Sequence, residues 1–109
     1  MKELKELTRY SGINRTMHKY DLQLFVNGNS LTSTEAIEML QGICKENLNG
    51  NCELEIIDVQ QDPDKAEEAG ILAIPTLVRK WPLPEIRIIG ALSVKTRVLT
   101  GLGISPENI

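Results

Sequence analysis

Residues that carry enzyme chemistry are scarce in this chain. Its 109 residues include only two cysteines and one histidine. The sequence has no Gly-rich phosphate loop, no cluster of ligand residues with metal-site spacing, and no Ser/His/Asp set. We therefore expect a protein that is not an enzyme and that holds neither a cofactor nor a metal ion.

The two cysteines, Cys44 and Cys52, are separated by seven residues and do not form a Cys-x-x-Cys redox motif. No secretory signal is visible, so we expect reduced thiols that pack as small core residues, with a Cys44–Cys52 disulfide as the alternative. For the same reason we expect a cytoplasmic protein.

Long hydrophobic runs and excess positive charge are also missing. No run approaches the roughly 20 apolar residues that span a bilayer, so no membrane association is expected. The net charge of −3 argues against nucleic acid as a partner, because binding phosphates requires clustered Lys and Arg. The length of 109 residues and the apolar fraction of 41% predict one globular domain.

Hydrophobic patterning divides the chain near residue 19. Residues 1–19 lack a sustained period and are predicted to form a loosely ordered extension, whereas residues 20–109 are predicted to form the domain. Residues 20–26 alternate and end apolar on both faces, which predicts an inner strand. Thr32 to Glu35 read as a capping box that opens a helix.

A second strand is predicted over residues 52–59. Glu53 and Glu55 alternate with the apolar Leu54 and Ile56, which predicts a charged edge strand. Asp58, near the end of this strand, is expected to cap the turn that follows it.

The second half of the chain has clear boundaries until its last segment. Asp62 and Pro63 begin a helix that Gly70 ends, and residues 76–80 and 85–89 read as an antiparallel hairpin. Residues 93–100 are ambiguous, because Ser93 is a good N-cap but β-branched residues at every second position also suit a strand. The predicted order is β-α-β-α-β-β-α, an α/β fold.

Pro75 marks the point where an apolar run enters the first hairpin strand. Proline lacks the N–H that a sheet ladder uses and is found at strand starts. Ile-Pro-Thr before a hairpin is the pattern of the thioredoxin-like fold, and predicts that fold with a cis Pro75. Thioredoxin-like oxidoreductases carry their thiolate in the turn that here spans residues 27–31. This turn has no sulfur.

The ordered set of motifs resembles the KaiB family of circadian-clock proteins over residues 20–102. Each stretch is short, and their order makes the resemblance specific. The stretches that carry it are Leu22-x-Leu24-Phe25-Val26-x-Gly28-Asn29, Ile57-Asp58-Val59, Pro63, Ala66-Glu67-Glu68, Ile71-Leu72-Ala73-x-Pro75-Thr76-Leu77, Pro84, Arg87-Ile88-Ile89-Gly90 and Leu92-Ser93.

The resemblance implies a non-enzymatic regulator that binds KaiC, a hexameric ATPase. It also implies two folds for one chain. The binding-competent state is thioredoxin-like, whereas in a homo-oligomeric state, a dimer or tetramer, the second half is rewired to give β-α-β-β-α-α-β. The residues expected to define or switch the fold are Pro75, Gly90, Ala91 and Ser93.

Two departures from cyanobacterial members of the family modify these expectations. Ala91 stands in place of an aspartate ahead of Ser93, which should change the balance between the two states. Glu55 stands in place of a lysine in the region that engages the regulator KaiA, so KaiA capture is not expected. Glu53 and Glu55 remain the candidate partner-binding residues of the edge strand.

Two other functions remain open. The first is a thioredoxin-like sensory module of the kind found in SasA-type histidine kinases, which compete for the same ATPase. A kinase of this type is also a candidate partner. The second, with less support, is a redox protein on the same fold.

Overall fold

The computed structural model of the chain describes residues 19–90 and 92–104. Its elements follow the order β-α-β-α-β-β-α, as the sequence predicts, and not the alternative order with two successive helices. A π-helical turn, Ile43–Asn47, extends the first helix. The strands are β1 (Tyr20–Val26), β2 (Cys52–Asp58), β3 (Thr76–Trp81) and β4 (Ile86–Ile89), and the helices are α1 (Leu31–Gly42), α2 (Pro63–Ala69) and α3 (Lys95–Leu102).

The four strands form one sheet in the order β2-β1-β3-β4. β1 pairs with β2 in parallel and with β3 antiparallel, and β3 pairs antiparallel with β4. Phe25 of β1 lies opposite Thr76, which lies opposite Ile89. The loops 27–30, 59–62 and 70–75 therefore lie at the same end of the strands, which we call the loop end of the sheet. The β3–β4 turn lies at the opposite end of the strands, which we call the turn end.

The sheet is covered on both faces, as the pattern of β1 predicts. Leu22 and Leu24 point to the face that carries α1 and α3, whereas Phe25 points to the face that carries α2. Each fully buried Leu, Ile or Phe contributes about 1.5–3 kcal/mol. The first face buries the main core, made of Leu22, Leu24, Val26, Ala36, Leu40, Ile43, Leu77, Leu92, Val98, Leu99 and Leu102.

The start of α1 differs from the predicted capping box. The helix begins at Leu31, and the side chain of Ser30 accepts a hydrogen bond from the Ser33 N–H at 3.2 Å. The hydroxyl of Ser33 is buried and accepts the N–H of Asn27 at 3.0 Å. Ser30 rather than Thr32 is therefore the N-cap, because its hydroxyl satisfies one of the free N–H groups of the first turn.

The later helix boundaries are partly as predicted. α2 begins at Pro63 after Asp62 and ends at Gly70, whose φ of +68° suits glycine. The ambiguous segment is helical, because Val98, Leu99 and Leu102 are buried on one side of α3. Its N-cap residue is Val94 and not Ser93.

The prediction that the two cysteines are reduced thiols is wrong. Cys44 and Cys52 form a disulfide, with Cα atoms 5.4 Å apart, a separation that a disulfide readily spans. The turn after the π-helical segment brings them together, since the N–H of Gly50 bonds to the carbonyl of Cys44 at 2.8 Å. The spacing of the two cysteines in the sequence does not predict this contact, because it depends on a reversal of the chain between them.

Among the described residues, three X-Pro bonds are cis, and the predicted Ile74–Pro75 bond is one of them. The other two, Trp81–Pro82 and Leu83–Pro84, lie at the turn end. No helix within residues 19–90 and 92–104 is long and apolar enough to cross a bilayer. The extension predicted for residues 1–19 lies, except for Lys19, outside the described residues.

Candidate protein-interaction surfaces

The loop end offers no thiol chemistry. The β1–α1 loop occupies the position at which redox proteins of this fold carry sulfur, and it reads Asn-Gly-Asn-Ser. The only cysteines, Cys44 and Cys52, are bonded to each other where the π-helical turn meets the start of β2, away from this loop. No group of three or more metal-ligating side chains occurs among the described residues. The β1–α1 loop therefore presents neutral polar side chains, Asn27, Asn29 and Ser30, in place of a thiol.

Asp58 joins two loops of the loop end. Its Oδ1 accepts the N–H of Gly28 at 3.2 Å and the N–H of Gln60 at 2.9 Å. Gly28 has a φ of +56°, which allows its N–H to point back at the end of β2. Asp58 thus has the capping role expected from the sequence, and it also fixes the β1–α1 loop relative to the β2–α2 loop.

Asp58→Ala is expected to lower the free energy of unfolding by about 1–3 kcal/mol, because the part-buried N–H of Gly28 and the exposed N–H of Gln60 both lose a charged acceptor. Asp58→Asn retains an acceptor oxygen and should lose less. Urea denaturation of both variants and the wild type measures the difference. Equal stability of Asp58→Ala and the wild type would contradict this role.

The loop end exposes three large apolar side chains. Leu72 is 98% exposed, Leu31 is 72% exposed and Ile89 is 60% exposed. Leu72 lies in the same loop as Pro75, which is half-buried, Leu31 begins α1, and Ile89 lies opposite Thr76 in the sheet. The Thr76 hydroxyl holds the Pro75 loop by donating to the Ala73 carbonyl at 2.6 Å. Exposed apolar residues grouped at one end of a sheet are typical of a protein-binding surface.

Two of the predicted switch residues, Pro75 and Gly90, lie at the loop end. Gly90 follows β4 with a φ of +72° and is brought close to Pro75 by the pairing of Thr76 with Ile89. Ser93 is exposed in the turn before α3 and lines a groove of about 430 Å³ between α1 and α3. Ala91 lies outside the described residues. The role of all four in a change of fold stays a prediction.

The predicted charged edge strand is β2, which has no neighbour on its outer side within the described sheet. Its carboxylates are paired within the chain: Glu53 with Lys19 at 2.9 Å and Glu55 with Lys65 at 2.8 Å. Their negative charge is therefore largely compensated. On the other face, Ile56 is partly exposed and lines a groove of about 360 Å³ beside Cys44, Leu54 and Lys45.

The pKa of the Glu55 carboxyl is held below its ordinary value of 4.5, chiefly by the hydrogen bond from Lys65 and then by that from Gln23. A lowered carboxyl pKa stabilises the fold above about pH 4.5, and this contribution is lost as the pH falls through the lowered pKa. Both side chains of the ion pair are about half exposed, so the effect on stability is small.

Lys65→Met is expected to raise the pKa of Glu55 toward 4.5, as measured by NMR titration of its carboxyl carbon. Lys45→Met is a matched control, because Lys45 is exposed and lines the groove on the opposite face of β2. An unchanged titration midpoint in Lys65→Met would contradict the ion pair.

Comparison with known proteins identifies the family. The model of the KaiB domain matches residues 23–104. Circadian clock protein KaiB3 of Synechocystis sp. is 43% identical over 93 residues, which cover 85% of this chain and 91% of that protein. The circadian clock oscillator protein KaiB of Synechococcus elongatus is 45% identical over 85 residues, or 78% of this chain and 83% of the relative.

Solved structures show the fold. The N-terminal domain of SasA from Synechococcus elongatus superposes with a TM-score of 0.65 at 17% identity, covering 94% of this chain and 90% of that domain. Mitochondrial thioredoxin 3 of Saccharomyces cerevisiae superposes with a TM-score of 0.64 at 21% identity, covering 83% of each chain. These likenesses establish a thioredoxin-like fold, and the sequence relatives go further: the chain belongs to the KaiB family of circadian-clock proteins.

Proposed function

We propose that this protein is a non-enzymatic clock or stress-adaptation regulator that binds a hexameric KaiC-like ATPase through the loop end of its sheet. The observation that carries the proposal is the set of exposed apolar side chains where redox relatives of the fold have their thiolate. Leu72 lies in the Pro75 loop, Ile89 lies opposite Thr76 and Leu31 begins α1, and all three are largely exposed.

The loop end suits a binding surface because its backbone is already held in place. Asp58 ties the loop at Gly28 to the loop at Gln60, and the Thr76 hydroxyl ties its own loop to Ala73. Loops fixed before binding lose little entropy when a partner docks. Large apolar side chains on such a support are the usual centres of binding energy.

The proposal includes a change of fold, supported by an asymmetry between the two halves of the chain. β1 and β2 share seven residue pairs, whereas β3 and β4 share four. α2 has seven residues and no fully buried side chain, and α3 has eight residues. Helices this short are marginal without tertiary contacts, so the second half is the part we expect to rearrange.

The proposal extends to the other state and to other partners. The non-binding state is a homo-oligomer, dimer or tetramer, and the protein works in the cytoplasm. A SasA-type histidine kinase competes for the same ATPase surface. Capture of KaiA is not expected, because Glu55 carries a negative charge in place of a lysine and is already paired with Lys65.

Native mass spectrometry of the protein with its cognate KaiC-like ATPase tests this function. We expect the ATPase ring to carry added subunits of this chain, and we expect the complex to form slowly because a change of fold precedes binding. Absence of any complex in both nucleotide states of the ATPase would refute the proposal.

A second candidate function is a thioredoxin-like module with a fixed fold. The likeness to the SasA N-terminal domain, which covers 94% of the chain, favours it. A ¹H–¹⁵N correlation spectrum separates the two. One set of peaks, unchanged by concentration and temperature, would favour the fixed module, whereas two sets whose ratio depends on concentration would favour the switching regulator.

A further inference from the structure

Arg79 is a buried charge in the middle of the sheet. It lies in β3 between Leu22 of β1 and Ile86 of β4, and only 7% of its surface is exposed. Burying a guanidinium is unfavourable unless its N–H groups find partners. The sequence does not predict this burial, because an arginine near the end of a hairpin strand is normally exposed.

The partners of Arg79 come from two separate elements. Its Nη1 donates to the carbonyl of Leu102, the last residue of α3, at 2.8 Å. Its Nη2 donates to the carbonyl of Pro84, in the β3–β4 turn, at 3.0 Å. No ion pair between Arg79 and a carboxylate occurs among the described residues, and its Nε is buried without a hydrogen-bond partner there.

The C-terminal end of α3 leaves room for the Arg79 guanidinium and favours its positive charge. Gly103 ends the helix with a φ of +81°, and a Cβ at that position would lie 3.4 Å from Nη1 of Arg79. The last carbonyls of a helix carry partial negative charge, so a cation beside them is favourable. The planar fork of arginine can reach two carbonyls in different directions, whereas the single ammonium of lysine is a compact point charge.

We infer that Arg79 is a latch: its hydrogen bonds link the C-terminal end of α3 to the β3–β4 turn. By holding α3 in place, the latch raises the fraction of molecules in the thioredoxin-like, binding-competent state. If α3 leaves the sheet, Arg79 loses the hydrogen bond from its Nη1 to the carbonyl of Leu102 and the partial negative charge at the end of the helix. The latch therefore makes departure of α3 costly and couples it to the hairpin. The consequence for binding rests on the proposed function, whereas the hold on α3 does not.

Native-state hydrogen exchange of Arg79→Lys tests the latch. We expect the amides of Leu99 and Leu102 to exchange about 10- to 100-fold faster than in the wild type, as loss of one charge-assisted hydrogen bond predicts. The amide of Leu24, in the centre of the sheet, should change by less than about threefold. Arg97→Lys is the matched control, because Arg97 is exposed on α3, and it should change neither set.

Equal acceleration of the α3 and β1 amides, or no acceleration at all, would overturn the inference. Should Arg79→Lys fail to fold, Arg79→Met removes the buried charge while filling the same space, and the same α3-selective acceleration is expected. Binding to the ATPase is measured in parallel. A wild type that does not bind refutes the proposed function but leaves the exchange result to decide the latch. Unchanged α3 exchange with normal binding refutes the latch alone.

Discussion

Leu72→Glu is expected to weaken binding to a KaiC-like ATPase by about 30- to 100-fold while leaving the free energy of unfolding unchanged. The side chain is 98% exposed in the free protein, so its replacement removes no internal contact. At an interface, the new carboxylate would be buried without a partner. Isothermal titration calorimetry measures the affinity, and urea denaturation measures the stability.

Leu83→Glu provides the matched control for this result. Leu83 is also a largely exposed leucine, at 68%, but it lies at the turn end of the sheet. We expect its substitution to leave the affinity unchanged. Equal loss of affinity in both variants, or in Leu83→Glu alone, would show that the loop end is not the contact surface.

Phe25→Ala is expected to lower the free energy of unfolding by about 3–5 kcal/mol, the largest effect on stability we predict for a single substitution. Phe25 is 1% exposed and packs with Ile57 and Val78 beneath α2. Its removal leaves a cavity in a cluster of only three buried residues, which has little capacity to repack. Urea denaturation followed by the fluorescence of the single tryptophan, Trp81, measures the loss.

A smaller deletion in the same cluster calibrates this effect. Ile57→Val removes one methyl group and should cost about 0.5–1.5 kcal/mol. If Phe25→Ala costs no more than Ile57→Val, the cluster beneath α2 is not packed as described. A large loss would also deplete the thioredoxin-like state, so ATPase binding should weaken in Phe25→Ala as well.

Local signals predict the fold where one preference dominates. In β1, Phe25 makes the end of an alternating strand apolar on both faces, which predicts a strand covered on both sides. Asp62, Pro63 and Gly70 predict both ends of α2. The residues that begin and end such elements lie next to them in the sequence. The right-handed connection of parallel strands applies to β1, α1 and β2, and it predicts which face of the sheet carries α1.

Tertiary contacts decide the rest. Residues 93–100 suit a helix or a strand, and the burial of Val98 and Leu99 against the sheet selects the helix. The disulfide between Cys44 and Cys52 depends on a chain reversal that no residue spacing reveals. The start of α1 depends on Ser30, which competes successfully with the predicted capping box.

The candidate sites divide in the same way. The edge position of Glu53 and Glu55 and the cis bond before Pro75 can be predicted, because alternation and an Ile-Pro-Thr start are local patterns. The exposure of Leu72 cannot be predicted, because an apolar residue beside a strand start normally packs inward. The burial of Arg79 cannot be predicted either, because its partners lie 5 and 23 residues away.

A hydrogen-exchange footprint of the complex with a KaiC-like ATPase tests most directly whether the loop end of the thioredoxin-like state is the binding surface. We expect the amides of residues 27–31 and 70–74 to become protected on binding, while those of β2 and of the turn at residues 83–85 keep their free exchange rates. Protection confined to the β2 edge or to the turn end, or protection of no segment at all, would contradict the account.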